Sequence, residues 1–138
     1  MDTSSLSNSQ VVKAGFDRLC KEFGALILPF GFAKTRARDW SRVQGELIDV
    51  IHLHRSGASY GAPVNFSLSV RVHFATKAQG AKGPLILNGP SSDDFRGTNC
   101  NYHLRFNAHS WSTYDRCLDD LLRVTREQGL PWFAKQRL

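Results

Sequence analysis

The chain has 138 residues, of which 41% are hydrophobic and 22% charged. That suits one domain burying roughly two-thirds of its unfolded surface, and it excludes disorder as the default state. The three cysteines, Cys20, Cys100 and Cys117, show no CxxC spacing, which argues against a disulfide framework and a zinc knuckle. The formal charge of +6, concentrated in the middle of the chain, suits either an anionic partner or a plain solvated surface.

Residues 1–8 read as a flexible polar tail ahead of a single domain over 9–138. The tail has no basic start and no apolar core of a secretory signal, and the longest apolar run, Ala25 to Phe30, is too short to span a bilayer, so a cytoplasmic protein without membrane contact is expected. Ser7 or Ser9 caps a first helix whose stripe is Val12, Phe16, Leu19, Phe23 and Ile27. Gly24 weakens this helix, and Pro29 with Gly31 ends it.

Phe32 to Arg42 reads as one strand turning through Val43–Gly45. Extended, it would set Lys34, Arg36, Arg38, Trp40 and Arg42 on one face. Cations flanking an aromatic are what nucleic-acid binders use, although edge strands carry Lys and Arg simply to prevent pairing. Leu47 to Arg55 is a central strand, with Leu47, Ile51 and Leu53 on one parity and Ile48, Val50, His52 and His54 on the other. Residues 56–63 read as a loop by composition. Val64 to Phe74 then alternates without a break. Val64, Phe66, Leu68, Val70, Val72 and Phe74 face a core, while Asn65, Ser67, Ser69, Arg71 and His73 face away. The two strands should pair antiparallel.

Ala75 to Cys100 has no sustained period and reads as a long loop. Asn101 to Asn107 alternates again, with Tyr102, Leu104 and Phe106 inward and His103 and Arg105 outward. A second helix starts at a capping box of Ser112 and Asp115, carries Tyr114, Leu118, Leu121, Leu122 and Thr125, and stops at Gly129. Leu130-Pro131-Trp132-Phe133 opens a short terminal turn. The order predicts an α+β domain: a mostly antiparallel sheet of four to five strands with N- and C-terminal helices packed on one face.

This order of features resembles a bacterial family known as domain of unknown function 4304. The matching pieces are the helix running into Gly31-Phe32 with Trp40 and Arg42, the strand end Leu53-His54-Arg55-Ser56, the run Phe66-Ser67-Leu68-Ser69-Val70, and the close on Gly129-Leu130-Pro131-Trp132-Phe133. Ser69 stands where the family tends to carry Asn, and His54 is a second departure. The resemblance implies no activity. Small domains of this kind are similar to immunity proteins that neutralise bacterial toxins.

No nucleophile elbow, phosphate loop or dinucleotide fingerprint occurs. His52, His54, His73 and His103 lie on polar sides of strands. Three imidazoles on adjacent strands would match a metal site, but no carboxylate has the spacing to complete one, and Asp49 has the opposite parity to His52. No cofactor and no metal are therefore expected. Between Ala33 and Lys82 the cations Lys34, Arg36, Arg38, Arg42, Arg55, Arg71, Lys77 and Lys82 face only Asp39, Glu46 and Asp49. The reading is a non-enzymatic module that binds an acidic protein, such as a toxin, through Arg71, His73, His103 and Arg105 with Lys34, Arg36, Arg38, Trp40 and Arg42. Nucleic acid held by the strand over 34–42 is the competing partner, and a hydrolase using the sheet-face histidines is the third reading.

Overall fold

The computed structural model describes residues 7–61, 65–95 and 102–137; Val64, Cys100 and Asn101 lie outside them. Helix α1 spans Asn8–Ile27. Ser7 caps it in a full capping box, its side chain accepting the Gln10 N–H while the Gln10 side chain accepts the Ser7 N–H. The expected stripe is the buried one: Val12, Phe16, Leu19, Phe23 and Ile27 are each at most 1% exposed. Each such side chain contributes about 1.5–3 kcal/mol of burial. A 3-10 turn over Leu28–Phe30, with Pro29 in its first positions and Gly31 at φ +94°, then turns the chain toward the sheet.

Five strands follow, in spatial order β1-β2-β3-β4-β5 and with every pair antiparallel: β1 Ala33–Arg36, β2 Asp39–Gln44, β3 Leu47–Gly61, β4 Asn65–Ala78 and β5 Arg105–Asn107. The α+β architecture expected from the sequence is therefore present. Three local expectations are corrected. Phe32 to Arg42 is not one strand: it folds back at Ala37–Arg38 into the β1–β2 hairpin. Residues 56–61 are not a loop but the far half of β3, paired residue by residue with β4 as far as Gly61↔Asn65, with a bulge between Arg55 and Gly57. Their Gly, Ser and Ala composition hides a strand held by its backbone ladder. The strand expected over Asn101–Asn107 is confined to Arg105–Asn107.

The long return segment after Ala78 closes the outer edge of β4. Beyond β5, successive outward N–H groups of β4 find acceptors in turn: Val70 donates to the Leu104 carbonyl, Val72 to Ser92 Oγ, Phe74 to the Pro90 carbonyl and Thr76 to Asn88 Oδ1, each at 3.0–3.2 Å. An edge that long, left bare, would template aggregation. Gly89 makes the approach possible, because a methyl group there would lie 2.4 Å from the Phe74 carbonyl oxygen and 2.5 Å from the Trp132 ring.

Helix α2, Tyr114–Val124, continues through a wide π turn, Thr125–Gly129, into α3, Leu130–Lys135. The expected capping box is absent. The cap residue is Thr113, left-handed at φ +63°, and its hydroxyl donates to the Arg105 and Ser112 carbonyls instead. Gly129 is not a stop. It sits inside the helical run, where a methyl group would meet the Phe74 ring at 2.5 Å. The helices cover the face carrying Trp40, Ile51, Leu53, Leu68, Val70, Val72 and Phe74, which with α1, α2 and α3 forms the hydrophobic core. No described helix is long and apolar enough to cross a membrane.

Candidate functional site

Strand register decides which side chains share the helix-free face. Across β2, β3 and β4 the pairs Asp39↔His52↔His73, Ser41↔Val50↔Ala75 and Val43↔Ile48↔Lys77 form three rows, and His54↔Arg71 a fourth. Arg36 pairs with Asp39, and Arg105 with Ser69, so both belong to this face. The face has two ends: imidazoles and guanidiniums at one, aliphatic side chains at the other.

At the polar end, Asp39 Oδ1 lies 2.5 Å from Nδ1 of His52. A carboxylate at one ring nitrogen sets the tautomer and the ring's orientation, here with the proton on Nδ1. The His54 ring stacks beside it, with centroids 6.2 Å apart. His54 titrates below the ordinary histidine value, first through desolvation and then through the charges of His52 and Arg71. His73 is shifted the same way by desolvation and by Arg71, with Asp94 and Asp93 opposing. Arg71 Nε lies 2.7 Å from Asp93 Oδ2, an ion pair little more than a third exposed. Asp94 accepts the Ser91 N–H, which ties this acidic turn to the bridge between Ser91 and His73. Among the described residues, no group of three or more His, Cys, Asp or Glu side chains is arranged to hold a metal ion.

At the aliphatic end the strands and the return segment enclose a groove of about 230 Å³. Val50 forms its floor at 3% exposure, Ile48, Val43 and Leu85 are in its walls, and Arg36 and Lys77 are at its rim. Val43, 63% exposed, extends the apolar surface.

The residues expected to bind a partner divide. Arg71, His73, Arg105 and Arg36 share the helix-free face. His103 precedes β5, half-buried, with its backbone N–H donated to Asp120 Oδ2 at 2.6 Å. The expected basic and aromatic stripe is dismantled by the hairpin. Lys34 and Arg38 fall on the α1 side, Lys34 beside a cleft lined by Cys20 and Gly24, and Arg38 4.6 Å above the Phe16 ring. Trp40, 3% exposed, is core: it meets Phe23 edge-on at 5.4 Å, and Gly24 leaves room for it. Arg42 is structural. With Arg137 it clamps the fully buried Asp49, at 2.9 and 2.7 Å, and donates to the Phe30 carbonyl at 3.0 Å.

Sequence reasoning reads Asp93-Asp94 as a solvated turn of the long loop and places neither Asp39 nor Asp93 on this face. Placing Asp39 beside His52 requires the turn at Ala37–Arg38, which has no Gly, Pro, Asn or Asp to announce it. Asp93 reaches Arg71 only because the return segment runs along β4. No protein-family model, curated protein or solved structure matches the chain.

Proposed function

We propose that the chain is a non-enzymatic binding module that docks an acidic protein on the helix-free face of its sheet. The observation that carries this reading is the make-up of that face: Arg36, Lys77 and Arg105, with Arg71 paired to Asp93, surround histidines and an exposed aliphatic patch. An apolar centre with arginine around it is how protein interfaces gain affinity, and the positive rim selects an acidic partner. The aliphatic patch favours a protein over nucleic acid, and so does the loss of Trp40 to the core, since single strands need an exposed ring to stack upon. Neutralisation of a toxin, as immunity proteins of similar size perform it, is the biological setting that fits such a module, in a cytoplasmic compartment.

Copurification of the tagged protein from its native host tests the reading. The wild type should recover one stoichiometric acidic protein, and the Arg71→Glu/Arg105→Glu variant, folded by circular dichroism, should not. Recovery of the same partner by the folded variant would rule the face out.

A further inference from the structure

The groove at the aliphatic end has a size that limits its occupant. Sites for drug-sized ligands and cofactors run from about 300 to 1,000 Å³. At about 230 Å³, this one falls below that range and suits a single inserted side chain. Its floor is apolar (Val50 3% exposed), while its walls remain open to solvent at Val43, 63% exposed. The one carboxylate in its lining, Asp39, is hydrogen-bonded to His52 at the polar corner. The charges left at the rim are Arg36 and Lys77, both exposed and both positive.

An apolar slot between two cations specifies a matching chemistry. We infer that the groove is the anchor site of the docking face, taking one leucine-sized aliphatic side chain from an extended acidic segment whose flanking carboxylates meet Arg36 and Lys77. From the groove, the rows through Ser41, His52 and His54 lead across the face toward Arg71 and Arg105, so the rest of the segment continues over the cationic end. Hot-spot residues fill apolar pockets that the bound partner seals from water, while the surrounding charges steer and select. The inference rests on the proposed docking function and adds which part of the face supplies affinity.

The test uses two capped oligo-glutamate peptides, one with a single central Leu and one with Ala in its place, titrated at low salt into the 15N-labelled full chain. The Leu peptide should shift the amides of Val43, Ile48, Lys77 and Leu85 and bind about tenfold more tightly than the Ala peptide, less than the roughly fiftyfold that full burial of its three extra carbons would give, because the groove stays open at Val43. Val43→Glu, a change at an exposed position that leaves the core untouched, should erase the difference between the peptides. Equal affinity of the two peptides, with shifts confined to His54, Arg71 and Arg105, would overturn the anchor while leaving the basic docking face intact. Absence of binding by both peptides would overturn the anchor and the acidic-partner reading together.

Discussion

Among single residues, Asp49 shows how the fold consumes charges that the sequence offers as surface. Its carboxylate is fully buried between Arg42 and Arg137, whose side chains are 17% and 23% exposed. Arg137 also donates to the Gln44 and Phe133 carbonyls, so one carboxylate ties the end of the chain to the β2–β3 hairpin. Removing one partner of a buried ion pair costs 3–5 kcal/mol because the other charge stays behind. Asp49→Ala should therefore lower the unfolding free energy by about 3 kcal/mol, the low end of that range, since both guanidiniums keep some access to water. Urea denaturation measures it, and a loss below about 1 kcal/mol would mean the cluster is a surface pair in effect. The cysteines follow a related logic. Burial pushes the thiols of Cys20 and Cys117 up to about 11 and about 12, so neither is a reactive nucleophile at neutral pH.

Among the elements, the C-terminal helical run is the one most dependent on close contact. The wide turn over Thr125–Gly129 brings backbone so near the Phe74 ring that only a hydrogen fits at Gly129. Gly129→Ala should destabilise the protein by about 1–3 kcal/mol through overpacking, even though alanine is the better helix former. A thermal melt unchanged or raised by that substitution would show that the contact is loose. The same region marks the limit of what the sequence makes legible. The stripe of α1 and the alternation of Leu68 to Phe74 are periodic, and periodicity is set by one element alone. The role of Gly129, the burial of Trp40 against Gly24 and the strand over 56–61 each depend on a second segment's backbone or ring, which no local pattern encodes. The helix-free face was half legible. Parity placed Arg71 and His73 on it, but Asp39, Val43 and Leu85 arrive there only through a hairpin and a return segment whose partners lie far along the chain.

At the scale of the whole molecule, the sheet separates two kinds of chemistry. The helix side holds the core and the Asp49 clamp; the other side holds His54 and His73, which resist protonation. His54 and His73 titrate below the ordinary value of 6.5 in the folded protein. Above that value both folded and unfolded states are neutral at these rings and stability is flat. As pH falls through it, the unfolded chain takes up protons that the folded chain refuses, so stability is lost until the folded values are passed. Urea midpoints should therefore fall between pH 7.5 and 5.5, and His73→Gln should flatten the decline. A midpoint that rises on acidification would show that these rings gain, rather than resist, charge on folding.

The claim that a partner covers the helix-free face is tested most directly by histidine footprinting with diethyl pyrocarbonate at neutral pH, on the free chain and on its recovered complex. His54 is exposed on that face, and His109 is exposed on the turn between β5 and α2. Complex formation should suppress modification of His54 and leave His109 as reactive as before. Protection of His109 with His54 still fully modified would place the partner elsewhere and contradict the account.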